Sequence, residues 1–458
     1  MQHLPVRSLA TWLSLLALAA ITQAQGRDES KTFADGPRGD QIIALVRHAE
    51  LFDFSGSVLA AVDGKVVAAT ACGFADAKGK LPNTPATLFE IASATKQFTA
   101  ASALRLVQGE KLDLDHSISK HLPGIPEDCQ AITLRHLLQH TSGIPGNNSM
   151  GAGDDIAKVL PSFLRGGPKH TPGTHWEYWN QGYAIASEII ARAGGASYTD
   201  ICRTLLFEPV AMRATCFTGD AAPAGATVAI GASKFGPSRS ALDHPYGAYG
   251  FQYRGMGGVV TNVWDLWRWD RALSGNDLLS AASRKALLEA GSHGYALGWF
   301  VGKDIGGRQM HSHGGSVRGF VCEIRRYPKN DGCIFVLAND DAAPVRAVAD
   351  AVAELLFGNA QKSLATPKAL DASVQQSLVG AYASGDDANV TIEAADSMTW
   401  LRIEWPKYRT SYKLCVGADA GDQLEVAELL ERHPLQIAAR EGDRVISFTL
   451  FNKKFTRK

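Results

Sequence analysis

The sequence predicts a mixed α/β region followed by a small all-β region, and the order of strand and helix patterns carries this prediction. Alternating or continuous apolar runs typical of strands occur early and return much later, with helical patterns between them, at 57–62, 65–69, 295–301, 319–324 and 333–337. This order predicts one mixed sheet assembled from both ends of the region. After residue 378 the runs become short and alternating, as at 400–405 and 445–450, which is typical of a small barrel or sandwich.

Each element has a local signal. Asp63-Gly64 between the first two strands indicates a hairpin turn. Helices are predicted after Ser93, near 132–138, over 181–193, after Asn262 as the capping residue, and over 347–357. The helix that Asn262 caps carries Trp264, Trp267 and Trp269 at a spacing that favours core packing over a ligand site.

Length and composition predict an ordinary globular protein of two or three domains. The 458 residues are 45% hydrophobic and have a formal net charge of zero, so nothing indicates a nucleic-acid footprint. We expect a disordered segment at 25–40, a main α/β domain at 41–357, a linker at 358–372 and a small β domain at 373–458. No metal or cofactor is implied, and the oligomeric state stays open.

The N-terminal segment resembles an export signal. Arg7 precedes an apolar stretch over 9–20, and small residues lead to a predicted cleavage after Ala24. The alternative is an uncleaved anchor; otherwise no segment is long and apolar enough to span a membrane. The mature protein is therefore expected to be periplasmic or secreted. Its seven cysteines leave at least one unpaired, and both a Cys202–Cys216 bridge and buried free thiols remain open.

The pair Ser93 and Lys96 is the feature with the most chemical content. Residues three apart share a helix face, so the Lys96 amine can reach the Ser93 hydroxyl. Serine needs such a base to act as a nucleophile. A second Ser-x-x-Lys, Ser117 to Lys120, is followed by a loop rather than a helix, and we disfavour it.

Two further motifs complete a candidate acyl-transfer site. Tyr178-Trp179-Asn180 places a phenol and an amide before a helix, where they can relay a proton and hold a substrate carbonyl. His313-Gly314-Gly315 precedes Ser316, whose backbone N–H could form an oxyanion hole with that of Ser93. A rival third motif, Lys234-Phe235-Gly236, has no strand after it.

In this combination and order, the motifs resemble the serine β-lactamase and penicillin-binding-protein superfamily, in its class C-like branch. The stretches 134–144, 257–261 and 295–299 are similar to that branch as well, and residues after 372 resemble the lipocalin-like domain of some relatives. The resemblance implies a central antiparallel sheet flanked by helices, an all-helical subdomain and a C-terminal barrel-like β domain.

The resemblance also implies roles for single residues. Ser93 would be the nucleophile, and Lys96 and Tyr178 would share the acid and base work, with the base left open between them. Asn180 would orient Lys96 and the substrate. His313, Gly315 and Ser316 would line the substrate strand.

Two departures from the family pattern bear on specificity. His313 stands where β-lactamases usually carry lysine, and we expect it to be partly charged near neutral pH. Trp179 is bulkier than the usual residue and is expected to narrow the cleft.

The leading hypothesis is an exported serine hydrolase of esters or D-amino-acid-containing amides and peptides. A class C-like β-lactamase is the first alternative. A non-catalytic penicillin-binding or regulatory protein of the same fold is the second.

Overall fold

The computed structural model describes residues 28–146, 153–358, 364 and 368–458, apart from 235, 248, 252, 292, 386, 396, 406–409 and 420–422. The predicted signal peptide and most of the predicted linker lie outside these residues. The chain forms two compact units, and each consists of two sequence segments. The first unit combines the residues up to 39 with residues 55–341, and the second combines residues 40–54 with residues 342–458. The domain boundaries expected from the sequence stay a prediction.

The first unit holds the strands of the central sheet and several short ones. In chain order they are β1 (Phe33–Ala34), β2 (Gly56–Val62), β3 (Lys65–Cys72), β4 (Phe74–Asp76), β5 (Leu81–Pro82), β6 (Phe89–Glu90), β7 (Cys216–Phe217), β8 (Ile230–Gly231), β9 (Arg239–Ser240), β10 (Val259–Thr261), β11 (Phe300–Lys303), β12 (Gln309–Val317), β13 (Phe320–Tyr327) and β14 (Gly332–Ala338).

Among the described residues, five helices follow one another between β6 and β7, and two more lie between β10 and β11. In chain order the helices of both units are α1 (Gly36–Ala49), α2 (Lys96–Gln108), α3 (Leu134–Leu138), α4 (Ile156–Phe163), α5 (Asn180–Gly194), α6 (Tyr198–Cys202), α7 (Val263–Ser274), α8 (Ala281–Leu288), α9 (Val345–Phe357) and α10 (Ala372–Leu378).

A seven-stranded sheet in the order β1-β3-β2-β14-β13-β12-β11 organises the first unit. Every neighbouring pair is antiparallel, and β2 pairs with β14 through Val58 and Val336. The prediction of one sheet built from both ends is therefore confirmed, although the sheet is purely antiparallel rather than mixed. A small sheet, β6-β10-β7, lies at the start of the segment that carries Ser93.

Local signals explain most of these elements. The β2–β3 turn has Asp63 and Gly64 at φ 51° and 68°, the conformation that a tight hairpin needs. The Asn262 side chain accepts from the backbone N–H groups of Trp264 and Asp265, which starts α7. The three tryptophans of α7 are buried, as predicted for core residues.

Two segments differ from the sequence prediction. Part of the segment predicted to be disordered is ordered, since β1 pairs Phe33 with Ala69 and α1 begins at Gly36. The Phe33 ring packs against the core, which offsets the entropy of ordering a short strand. The strand predicted over 295–301 begins only at Phe300, because the chain turns at Gly298 with φ 76°.

The second unit contains a nine-stranded antiparallel sheet that curls into a nearly closed barrel, as expected for the C-terminal β domain. Its core is apolar and includes the stacked rings of Phe448 and Phe455. The strands are β15 (Gly380–Ser384), β16 (Ala388–Ala395), β17 (Met398–Trp405), β18 (Thr410–Ala418), β19 (Leu424–Glu428), β20 (Glu431–Pro434), β21 (Gln436–Glu441), β22 (Arg444–Leu450) and β23 (Lys453–Arg457).

All seven cysteines are buried free thiols, so the structure contains no Cys202–Cys216 bridge. Cys202 Sγ instead lies 3.3 Å from Ser102 Oγ. Within the described parts of the chain, no helix combines the length and the apolar character needed to cross a bilayer.

Candidate active site

Ser93 lies on a single tight turn between β6 and α2. The 3₁₀ turn Ala92–Thr95 leads directly into α2, and Ser93 is partly exposed whereas its neighbours in the turn are buried. Ala92 has φ 44°, a left-handed conformation that costs a non-glycine residue about 1 kcal/mol. Strain of this kind concentrates at functional sites, where the surrounding structure maintains it.

Strand β10 maintains this turn from both sides. The Ile91 N–H donates to Val259 O at 3.0 Å, and the Val259 N–H donates to Thr95 Oγ1 at 3.1 Å. Thr95 therefore anchors the end of the turn while Ile91 anchors its beginning. The backbone that carries Ser93 is therefore anchored to β10 on both sides, at the start of α2.

Lys96 is completely buried behind Ser93. Its Nζ donates to Met256 O at 3.1 Å, and it lies 4.9 Å from the centre of the Tyr178 ring and 5.4 Å from that of Tyr183. Burial lowers the pKa of this amine well below its usual value, which favours the uncharged form with a lone pair. The hydrogen bond that the structure gives Lys96 goes to Met256 rather than to Ser93.

Tyr178 reaches the nucleophile position directly. Its phenol makes a hydrogen bond with the Ser93 side chain, and burial raises the pKa of the phenol to about 12. The phenol is therefore protonated at neutral pH. Asn180, two residues on, is the first residue of α5. The structure thus brings Ser93, Lys96 and Tyr178 together at the start of α2.

His140 joins this group, although the sequence analysis gave it no role. It is buried, its Nδ1 accepts from the Trp179 N–H at 3.1 Å, and its ring centre lies 4.3 Å from that of Tyr178. Burial, and to a lesser extent the charge of Lys96, lowers the pKa of His140 well below its usual value. The only sequence signal was its place in the 134–144 stretch, which resembles the family.

Trp179 does not narrow the site as expected. Its side chain is 2% exposed and belongs to the hydrophobic core, where its ring packs beside Gly182. The tryptophan near the site is instead Trp176, whose ring centre lies 6.5 Å from that of Tyr178.

His313 is neutral rather than partly charged. It is buried on β12, its Nδ1 donates to Gly314 O at 2.6 Å, and its Nε2 lies 3.1 Å from the Tyr295 hydroxyl. Burial first, and then the charge of Lys96, lowers the pKa of His313 to about 3. The expectation of partial charge near neutral pH is therefore wrong, because sequence alone does not show this burial.

Gly315 allows β12 to approach the nucleophile turn. A Cβ there would lie 2.1 Å from Ile91 O, the carbonyl that also receives a hydrogen bond from Cys322 Sγ at 3.4 Å. Ser316 next to it is exposed. Strand β11 pairs with β12 only from Gln309 to Ser312, so the stretch from His313 to Ser316 extends beyond that pairing and beside the Ser93 turn.

The second Ser-x-x-Lys pair has a structural role. Ser117 donates to Gln130 O at 2.6 Å and caps the short 3₁₀ turn Ile118–Lys120, which is a structural role. In the rival third motif, Phe235 lies outside the described residues.

We expect Gly315→Ala to destabilise the protein by about 1–3 kcal/mol and to reduce turnover, because the new methyl group must displace the Ile91 carbonyl. Urea unfolding and ester turnover measure the two effects. Gly302→Ala is the matched control, since that position on β11 has open space around its Cβ direction. Equal unfolding midpoints for Gly315→Ala and wild type would contradict the close approach.

Comparison with known proteins places this site in a family. The β-lactamase family model matches residues 52–358, which include six of the seven strands of the central sheet and the site. Penicillin-binding protein 4* of Bacillus subtilis is 27% identical over 402 residues, covering 77% of this chain and 85% of that protein.

Solved structures show the same fold. The octameric penicillin-binding protein homologue from Pyrococcus abyssi has a TM-score of 0.61 at 22% identity, covering 92% of this chain and 99% of that one. D-amino acid amidase from Ochrobactrum anthropi SV3, solved with D-phenylalanine, has a TM-score of 0.60 at 23% identity, covering 70% of this chain and 98% of that one.

The fold and the family match define a serine hydrolase that acts by acyl transfer. The chain belongs to the β-lactamase family, within the superfamily that includes the penicillin-binding proteins.

Proposed function

We propose that this protein is an exported hydrolase that cleaves esters or D-amino-acid-containing amides and peptides through an acyl-enzyme on Ser93. One observation carries the proposal: the partly exposed Ser93 hydroxyl is hydrogen-bonded to Tyr178, with the buried amine of Lys96 beside the same phenol. Export rests on the N-terminal sequence pattern alone.

The proposed mechanism is a proton relay, built on the hydrogen bond between Ser93 and Tyr178 and on the position of Lys96 Nζ over the Tyr178 ring. Ser93 Oγ attacks the carbonyl carbon while its proton passes to the Tyr178 oxygen and the phenol proton passes to the uncharged Lys96 amine. The protonated Lys96 then returns its proton through Tyr178 to the leaving group as that group departs. Water then attacks the ester, gives its proton to the same relay, and Ser93 regains a proton as the acid leaves. The opposed pKa shifts of Lys96 and Tyr178 favour Lys96 as the final acceptor.

The neutral His313 supports esters and amides ahead of β-lactam antibiotics. β-Lactamases usually place a lysine at this position to meet the antibiotic's carboxylate. A buried imidazole that already bonds Gly314 O and faces the Tyr295 hydroxyl supplies no such charge. β-Lactam hydrolysis remains the second candidate because the family match itself bears that name.

A covalent probe and a substrate panel test the proposal. We expect a fluorophosphonate to add its mass to the peptide that carries Ser93, in wild type and in Ser117→Ala alike. We expect turnover of p-nitrophenyl esters or D-alanyl anilide to exceed that of nitrocefin. An unlabelled Ser93 would favour the non-catalytic binding protein, and fast nitrocefin turnover without esterase activity would favour the β-lactamase.

A further inference from the structure

Three aromatic rings extend from the candidate catalytic group towards the surface. We call Trp176, Tyr295 and Phe300 the aromatic subsite. Their centres lie 4.8 Å apart for Tyr295 and Phe300, 6.0 Å for Trp176 and Tyr295, and 6.3 Å for Trp176 and Phe300. Phe300 lies 5.3 Å from His313, and Trp176 lies 6.5 Å from Tyr178. Phe300 and Trp176 are therefore each in ring contact with a residue of the candidate active site.

Exposure changes along this group. Tyr295 is 1% exposed, Trp176 is partly exposed and Phe300 is 39% exposed. Packing of the core explains the inner ring, whereas the outer two rings are neighbours that together leave an apolar group open to solvent, and grouped apolar surface marks binding sites more than single exposed rings do. This apolar surface lies beside a reactive serine, so a bound substrate would cover it.

The backbone fixes the two outer rings in place. Phe300 starts β11, pairs with Ser312 and forms a bridge to Tyr295. Trp176 is followed by Glu177, whose backbone N–H donates to His140 O at 2.9 Å. A preformed subsite loses little conformational entropy when a ligand binds.

Within the subsite, the buried Trp176 Nε1 has no hydrogen-bond partner among the described residues. The two polar groups beside the subsite are already hydrogen-bonded. The Tyr295 hydroxyl and His313 Nε2 lie 3.1 Å apart, and His313 Nδ1 bonds Gly314 O. Neither group offers a fixed charge to an anionic substituent. Aromatic faces instead pack against flat apolar groups, which adds about 0.5–1.5 kcal/mol beyond buried area.

We propose that the aromatic subsite binds an uncharged aryl group of the substrate, so that the enzyme prefers aryl-bearing esters or amides over small aliphatic ones. This inference rests on the proposed function, because Ser93 must be the reacting residue. A cationic group over the same rings is the competing occupant, which the experiment separates.

The test compares two sulfonyl fluorides that differ by a phenyl group. We expect phenylmethanesulfonyl fluoride to label Ser93 of the full-length protein faster than methanesulfonyl fluoride. Phe300→Ala and Trp176→Ala should each lower this rate ratio by about tenfold, the equivalent of one aromatic contact. Phe74→Ala is the matched control, since Phe74 is 43% exposed and belongs to the same unit.

The outcomes separate the subsite from the proposed function. An unchanged ratio in both variants, with Ser93 still labelled, overturns the subsite alone. Absence of labelling by either reagent overturns the nucleophile, and calorimetry on Ser93→Ala then decides the subsite by comparing phenylacetamide with acetamide. Tighter binding of phenylacetamide that Phe300→Ala removes supports it, and equal binding overturns it. Stronger binding of benzyltrimethylammonium than of phenylacetamide would assign the rings to a cation.

Discussion

Lys96→Met is expected to reduce turnover by about 10³-fold or more, because the variant removes the proton acceptor and keeps the volume of the side chain. Ser93→Ala should lose a comparable factor. The double variant should lose no more than either single variant, since nucleophile and base act as a unit. Steady-state ester hydrolysis measures all three, and activity within about tenfold of wild type in Lys96→Met would remove the mechanism.

The same variant should be at least as stable as wild type at neutral pH. Burial lowers the folded-state pKa of Lys96 well below that of the unfolded chain, so the unfolded state binds the extra proton. Wild-type stability therefore rises with pH between the lowered pKa and about 10.5, the ordinary value for lysine. Lys96→Met lacks this dependence, and its stability advantage should shrink from pH 7 to pH 9.5 in thermal unfolding.

Activity should depend on pH in the matching direction. Wild-type turnover should fall as pH decreases through the lowered pKa of Lys96, because a protonated amine accepts no proton. Tyr178, with a pKa of about 12, stays protonated throughout the accessible range. A single ionisation in the acidic limb of the kcat/KM profile would agree with this assignment. If that ionisation is retained in Tyr178→Phe and lost in Lys96→Arg, the titrating group is Lys96.

The predictable parts of the site are those whose residues lie within a few positions of one another in the sequence. Ser93 and Lys96 lie within one helical turn, and Tyr178 and Asn180 lie at the start of one helix. These short motifs, taken in their combination and order, indicated the site. Gly315 was found as a glycine of a strand edge. Its physical reason, a clash with the Ile91 carbonyl, involves a contact more than two hundred residues away in sequence and emerges only in the folded chain.

Charge states were the least predictable property. His313 looked like a group that titrates near neutral pH, yet its burial beside Tyr295 makes it neutral. The amine of Lys96 bonds Met256 O, a partner that no motif indicated. The fold predictions failed for related reasons. Strand β1 has two residues, too few for an alternating pattern to be recognised. Gly298 lies so close to the Lys96 backbone that a Cβ there would clash with it, and this long-range approach is not visible in the sequence.

His140→Leu is expected to lower kcat by about 10²-fold with a smaller change in KM, because His140 positions Tyr178 without contacting the substrate. Leucine leaves the Trp179 N–H unpaired and removes the ring that lies against Tyr178. It also strains the backbone, since His140 has φ 58°, a left-handed conformation that asparagine tolerates better.

His140→Asn is the variant that separates positioning from general damage. Its side-chain oxygen can accept the Trp179 N–H at a backbone conformation that suits asparagine, so it should recover most of kcat, measured well below the melting temperature of each variant. Because His140 is uncharged at neutral pH, neither variant should move the acidic limb of kcat/KM. Equal loss in folded His140→Asn and His140→Leu would show that the hydrogen bond to Trp179 does not control the placement of the phenol.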